Sequence, residues 1–540
     1  VRAVAGAGAL ALALVSLVAC GSDGGAGGAP DAPPRVDFRG GTVYEIFVRS
    51  YADSDGDGVG DLKGLTAHLD YLNDGKPAGT TTSLGVDAVW LMPIFPSPSD
   101  HGYDVTDYRA VNPSYGTLAD FDAFVAAAHQ RGVRVILDFV LNHASSQHPW
   151  FVDSATGPGS PHRDDFMWRA AEPTPHWHRP WDPSDPWYAK NGAFYYGLFC
   201  GCMPDWNLGN PAIEAELTDA MKFWIDHGVD GFRLDAVRYF FESPDGVLED
   251  LPETHAFLRR LRASLTTYAP RTLMVGEAWA PLITQASYWG QGDELQLAFS
   301  FDLADALKSA AAAGDASAVV NLLASAETVF AGKDRGFEAP FLSNHDQVRV
   351  LRALDDAGAM RVAAASLFAM PGTPFVYYGE ELGMRGGPGG ADENKRTPFR
   401  WDASAPNHGF TTANPWYRVD EADGVDVATE RADAGSLWHL YQRLIGLRRA
   451  EPALQSGDTV RPAHSAGAGV LALVRGPVVG RRVLVIANFG ASASGAFTVD
   501  VAGTPALLFA EGLTGAPAAA GGKVSIQDLA AHGFVFVAMT

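Results

Sequence analysis

Cysteine is scarce: there are three in 540 residues, which excludes a disulfide framework. Cys200 and Cys202 are separated by one residue, a spacing at which a mutual disulfide is strained and is not expected. No His or Cys follows them at metal-ligand spacing, so both are read as small packing residues. Basic charge is also short, with 40 Lys+Arg against 63 Asp+Glu and a net charge of −23. Such a chain has no broad cationic surface for a phosphate backbone, so no nucleic-acid partner is expected; a neutral ligand or metal cations fit better. Beyond residue 20 no run approaches the ~20 apolar residues a membrane span needs. What the chain has in quantity is apolar residues (47%) and aromatics (11%, with 13 Trp). Most of these rings fill a core, but flat apolar rings are also surfaces on which sugars stack. The length allows roughly two to four domains or one large barrel with additions.

The exception to the missing apolar runs is at the start. Residues 3–19, "AVAGAGALALALVSLVA", follow a minimal positive region at Arg2. The ending "LVAC" followed by "GSDGGAGGAPDAPP" resembles a bacterial lipoprotein signal. That resemblance implies a leader over 1–20, lipid on the Cys20 thiol and a flexible tether over 21–36. An ordinary secretory signal or a single anchor helix is the alternative, and each places the rest of the chain outside the cytoplasm.

From Thr42 onward, short apolar runs alternate with helical patterns. "TVYEIFV" precedes "LKGLTAHLDYL", and "VDAVWLMPI" precedes "TLADFDAFVAAAHQRG", where Leu118, Phe121, Val125 and Ala128 recur at helical steps. "VRVILDFVL", "GFRL", "TLMVG", "LQLAFSF", "FEAPFLS" and "PFVYYG" continue the strand series. Eight strands alternating with helices predict an α/β fold, a parallel (β/α)8 TIM barrel, over 37–143 and 211–452. A doubly wound sheet competes, but no Gly-rich phosphate turn is present. Residues 144–210, rich in Pro, Trp, His and Gly, form a connection too long for a plain loop and read as an inserted subdomain. After about Ala450, short alternating runs between Gly/Pro turns predict a C-terminal antiparallel β-sandwich over 453–540.

In "GFRLDAVRY", Arg233 and Asp235 stand two apart in an apolar run, so a strand sends both to one face. Buried charges need partners, or a cleft that uses them. Barrels of this kind present the C-terminal ends of their strands at one mouth. Those ends read "LDFVLNH" (Asp138, Asn142, His143), "GFRLD", "GEAW" (Glu277) and "SNHD" (His345, Asp346). Strand-end acids often only cap helices, yet four such ends on one mouth point to chemistry.

These ordered motifs resemble those of the α-amylase family of retaining glycoside hydrolases and transglycosylases. "HGYDVTDY", "MPDWN" and "MPGTPFVYYGEELGM" are similar to its further segments, and the likeness runs from about Val43 to Ala450. "MPDWN" lies nearer the family's intermediate group, between oligo-1,6-glucosidases and neopullulanases, than the "QPDLN" of oligo-1,6-glucosidases. The resemblance implies Asp235 as nucleophile, Glu277 as general acid/base and Asp346 as a third acid that binds sugar hydroxyls. It implies that Arg233 keeps Asp235 ionised, that His143 and His345 bond the sugar at the cleavage point, and that Tyr103 stacks under it. Asp100 is implied as a sugar contact and Arg396 as a partner of Asp346 or the sugar. Where many α-amylases have Lys-His after the nucleophile strand, this chain has Arg238-Tyr239. Ala236 after the nucleophile is the choice of relatives preferring α-1,4 links.

"DSDGDGVGD" (53–61) is a separate signal. Asp53, Asp55 and Asp57 alternate, Gly58 permits a turn, the Val59 carbonyl is available and Asp61 closes the set, as in the first nine positions of a Ca2+ loop. Position twelve is Gly64 in place of a bidentate Glu. A solvated acidic turn is the plain alternative; the related enzymes' matching loop implies Ca2+. A second Ca2+ site through Asn142 and Asp205 lacks the charge for it. The expectation is therefore a monomeric, exported, lipid-anchored α-amylase acting on α-glucan. An exo-acting α-glucosidase or transglycosylase, and more remotely a non-catalytic glucan-binding lipoprotein, are the alternatives.

Overall fold

The structure, a computed structural model, describes residues 40–540 apart from 77–81, 175, 420–423, 456 and 478–479. The expected leader (1–20), its Cys20 and the tether (21–36) lie outside the described residues.

Eight short parallel strands make the central sheet: β1 (Val43–Ile46), β2 (Ala88–Leu91), β3 (Arg134–Phe139), β4 (Gly231–Leu234), β5 (Leu273–Gly276), β6 (Leu297–Phe299), β7 (Glu338–Ala339) and β8 (Phe375–Tyr377). The first five are buried at every residue, as strands covered on both faces must be. The ladder runs β7-β6-β5-β4-β3-β2-β1-β8. Between its two ends, Thr373 N–H donates to the Glu338 carbonyl at 2.9 Å and Phe375 N–H to that of Pro340 at 2.8 Å. These bonds bring β7 to β8 and close the sheet into the expected barrel.

Strand periodicity sorts the side chains. Val43, Ala88, Trp90, Ile136, Leu273, Val275, Phe299 and Phe375 fill the interior, so residues two steps along from them also point inward. Register then aligns Glu45 with Trp90, Asp138 with Arg233, and Arg233 with Val275. Outward residues meet the helices, for example Leu118–Gln130, which starts with a capping box at Thr117 and Asp120.

The insertion after β3 contains a three-stranded antiparallel sheet (Trp168–Arg169, Trp187–Lys190, Ala193–Tyr196), and its Trp177, Trp187, Tyr196 and Leu198 form an apolar cluster with Leu248 from the segment after β4. Here one expectation fails. Cys200 and Cys202 are disulfide-bonded, with Cα atoms 5.1 Å apart. That span is ordinary for a disulfide, and a tight turn rather than an extended chain carries it. They are not simple packing residues.

Where the insertion rejoins the barrel, Asn142 Nδ2 donates to Asp205 Oδ2 at 2.8 Å and Leu198 N–H to Asp205 Oδ1 at 2.9 Å. The pair that could have held a second cation is thus spent on itself, and burial pushes the Asp205 carboxyl up to about 7.

The C-terminal region is two antiparallel sheets of five and three strands. In Val470–Arg475 every residue is buried: Leu471 and Leu473 join the main core, while Val470, Ala472 and Val474 join the sandwich core. Among the described residues no helix is long and apolar enough to cross a membrane.

Candidate active site

The inward residues at the C-terminal ends of β1, β2, β3 and β4 build a charged floor. Arg233 is 1% exposed and is its hub. Its Nη1 donates to Asp138 at 2.9 Å and to Asp235 at 2.7 Å, and its Nη2 to Glu277 Oε2 at 2.5 Å. Trp90 Nε1 donates to Asp138 at 3.2 Å, and the guanidinium lies 5.3 Å from the Trp90 ring. The two candidate catalytic carboxylates therefore share one cation. Because the two terminal nitrogens of a guanidinium are fixed about 2.3 Å apart, the bonded oxygens are within roughly 7.5 Å of each other.

A second chain of contacts starts at Glu45. Its Oε1 meets His345 Nδ1 at 2.5 Å; His345 Nε2 meets Tyr103 Oη at 2.7 Å and Asp346 at 3.1 Å; Tyr103 Oη donates to Asp138 at 2.9 Å. Burial opposes charge on His345, but Asp346 and Glu45 outweigh it and hold the imidazole up to about 10. As an imidazolium it donates from both nitrogens, and both are already engaged. His345 is thus a buried cation at the base of the site, tied to Glu45, Tyr103 and Asp346. Asp346 is held well below the usual carboxylate range: burial resists ionisation, but His345 and Arg396 prevail. Arg396 donates to Asp346 at 2.9 Å and to the His345 carbonyl at 3.1 Å.

Above this floor is a cleft of about 850 Å3. Asp235, Glu277, Asp346, Tyr103, His143 and Arg396 all line it. His143 keeps its Nε2 buried and unpartnered among the described residues. Burial lowers its ring to about 4, so it is neutral. Asp100 does not reach the lining; its neighbour His101 does, its ring stacked 5.9 Å from Tyr103. Sequence reasoning missed Glu45 and Trp90. The signal for Glu45 was present, since it is the lone charge in a buried strand, as Arg233 is in β4.

Ala236 follows the nucleophile candidate with φ of 52°. This left-handed step costs an L-residue roughly 1–2 kcal/mol, and it turns the backbone so that Ala236 N–H reaches Glu277 Oε2 at 3.2 Å. With two donors on Oε2, a proton on this carboxyl belongs on Oε1. Burial, then Asp235 and Asp346, push Glu277 up to about 8 against the pull of Arg233. Two neighbouring carboxyls in different environments are the arrangement that yields an acid and a nucleophile.

Comparison with known proteins supplies the family to which this barrel belongs. Residues 45–457 match the family described as alpha amylase, catalytic domain. The chain belongs to the alpha-amylase family. Alpha-amylase 3 of Dictyoglomus thermophilum is 38% identical over 427 residues, covering 78% of this chain and 80% of that one. Oligo-1,6-glucosidase of Parageobacillus thermoglucosidasius is 33% identical over 496 residues, covering 78% and 85%. The crystal structure of alpha-amylase from H. orenii superposes with a TM-score of 0.83 at 36% identity, covering 93% of this chain and 99% of that one. Likeness to both amylases and oligo-1,6-glucosidases is consistent with the intermediate group. As a member of this family the protein is a glycoside hydrolase acting on glucans.

Glu277 makes the pH dependence specific. An acid raised to about 8 stays protonated through neutrality and is lost above that. We expect kcat/KM to fall tenfold per pH unit above about 8, measured with a soluble maltooligosaccharide. In Glu277→Gln, whose residual rate lacks that ionisation, the alkaline limb disappears. A limb retained in that variant assigns the ionisation elsewhere.

Proposed function

We propose that the protein is an α-amylase that hydrolyses α-1,4-glucosidic bonds of starch or maltooligosaccharides with retention. One observation carries the reading: Asp235 and Glu277 are held on the same buried guanidinium at the floor of an open cleft. Asp235 attacks the anomeric carbon as Glu277 delivers its proton to the departing oxygen, breaking the glycosidic bond and leaving a glycosyl ester on Asp235. Glu277, now a carboxylate, removes a proton from water, which attacks the anomeric carbon from the face the leaving sugar vacated and breaks the ester to Asp235, so the configuration is retained. Asp346 adds negative charge beside the cationic transition state, and His143 offers its free Nε2 to a hydroxyl.

Digestion of amylose, pullulan and maltotriose side by side tests the assignment. Endo action on α-1,4 links gives mixed maltooligosaccharides from amylose, released as the α-anomer. Glucose alone marks an exo-acting α-glucosidase, and longer products than substrate mark a transglycosylase.

For the metal loop, Asp53, Asp55 and Asp61 bring carboxylate oxygens within 4.8 Å of one another, a spread that one Ca2+ with 2.3–2.6 Å ligands can span. Asp57 stands outside this trio, its Oδ1 accepting the Val59 N–H at 2.8 Å. Slight burial, then repulsion from Asp57, Asp61 and Asp53, pushes the Asp55 carboxyl up, and a cation would relieve that. We propose that these three, with the Val59 carbonyl, hold a structural Ca2+. It links the β1 loop to Thr411, whose hydroxyl bonds Asp53. Chelation should lower Tm by a few degrees, since a ligand at 100 times its Kd adds about 2.7 kcal/mol. Asp53→Asn should abolish that response; a Tm indifferent to EDTA and to millimolar Ca2+ removes the site.

Export with a lipid on Cys20 is also proposed. The Cys200–Cys202 disulfide supports it, because disulfides persist in oxidising compartments. Cys20→Ser should move activity from the membrane fraction to the medium; unchanged fractionation counts against the anchor.

A further inference from the structure

Trp181 is 48% exposed, unusual for so large an apolar side chain, and it lines the cleft together with Phe199, Met203 and Tyr239. Its ring is not loose. Phe199 stacks on it at 5.4 Å with an interplanar angle of 25°, and Tyr239 meets it edge-on at 5.6 Å. Phe199 in turn lies 5.2 Å from the His143 ring. A rigid indole with one face backed and the other open to the cleft is a surface for the apolar face of a sugar ring.

Its side of the cleavage point follows from the acid. Tyr239 closes the turn after Asp235, and in that turn Arg238 Nη1 donates to the Trp279 carbonyl at 2.8 Å, on the loop that carries Glu277. Elsewhere in the lining, Arg396 ties Asp346 and Asp392 together at 2.9 and 3.5 Å. An acid protonates the leaving oxygen, so the leaving sugars lie on Glu277's side, where Tyr239 and Trp181 stand.

The ring's support is stapled. Met203 N–H donates to the Cys200 carbonyl at 3.0 Å, and Tyr195 Oη to the Gly201 carbonyl at 2.6 Å. A Cβ on Gly197 would come within 2.7 Å of the Cys200 carbonyl oxygen, so the turn is closed tightly beside Phe199. The disulfide spans only this turn. Closing so short a loop constrains the unfolded chain little compared with a long one, so its main effect is local geometry.

We propose that Trp181 is a specificity-determining residue that stacks a glucosyl ring on the leaving-group side, and that the Cys200–Cys202 disulfide positions it through Phe199. This rests on the glucan-hydrolase reading above. The test compares maltoheptaose, which fills leaving-group positions, with α-maltosyl fluoride, which does not. Trp181→Ala should raise KM for maltoheptaose about tenfold and leave maltosyl fluoride turnover within about twofold, while Trp181→Phe retains most of the affinity. The Cys200→Ser/Cys202→Ser pair should raise the same KM, leave maltosyl fluoride alone and add nothing in the Trp181→Ala background. An unchanged maltoheptaose KM in Trp181→Ala, or equal losses on both substrates, overturns the platform. Additive effects of the cysteine pair and Trp181→Ala overturn the positioning role. If the parent turns over neither substrate, it is the hydrolase reading that fails.

Discussion

Asp235→Asn lowers kcat on starch by about 10^4-fold or more and leaves the fold in place. The magnitude is that of removing a covalent nucleophile from a site whose other parts remain. The fold survives because Asp235 is one of three acids on Arg233. Asp138 and Glu277 still pair with the guanidinium at 2.9 and 2.5 Å, and an amide oxygen at position 235 can accept the third hydrogen bond. Circular dichroism and Tm should therefore stay near the parent while turnover collapses. A variant that hydrolyses starch at the parent's rate ends the nucleophile assignment.

Arg233→Met acts on stability as well as activity. Three carboxylates, on Asp138, Asp235 and Glu277, lose their shared cation inside a buried floor. Stranding buried charge in this way costs about 3–5 kcal/mol. The sign with pH follows from the two groups whose shifts are resolved. Asp138 and Glu277 are already raised by burial, to about 6 and about 8, with Arg233 pulling each down. Such raised acids cost nothing below their unfolded values, near 4, and destabilise increasingly as pH rises toward the folded ones. Without Arg233 the folded values climb further, so the penalty keeps growing beyond pH 8. Thermal unfolding should show a small deficit at pH 5 and a large one at pH 8, with activity lost at both. A deficit independent of pH would mean that Arg233 matters by packing alone.

That Asp235, Glu277 and Asp346 meet in one cleft was legible because each acid falls at the end of an apolar run, and the barrel rule gathers such ends at one mouth. The same rule passed over Glu45 and Trp90, which stand on β1 and β2 inside motifs that look like plain core. Their importance lies in partners some 300 and 48 residues away in the chain, His345 and Asp138. His345 draws its charge from Glu45 and Asp346 on either side, a pairing that residue type alone does not reveal. Asp100 and His101 are neighbours in the chain, and only the folded structure shows that His101 is the one in the cleft lining.

Local patterns, from "LKGLTAHLDYL" through the strand-end acids, predicted most elements, though that first helix is interrupted at His68 into Leu62–Ala67 and Leu69–Leu72. The sequence alone determined the barrel, the inserted and C-terminal regions and the identity of the acids, because apolar periodicity and residue type are written along the chain. Only the tertiary structure decided that one guanidinium serves Asp138, Asp235 and Glu277, that Cys200 and Cys202 are bonded, and that Trp181 stands exposed in the lining of the same cleft. Those facts depend on distances between segments far apart in the chain or on the exact bend of a turn, and neither is encoded in composition or spacing.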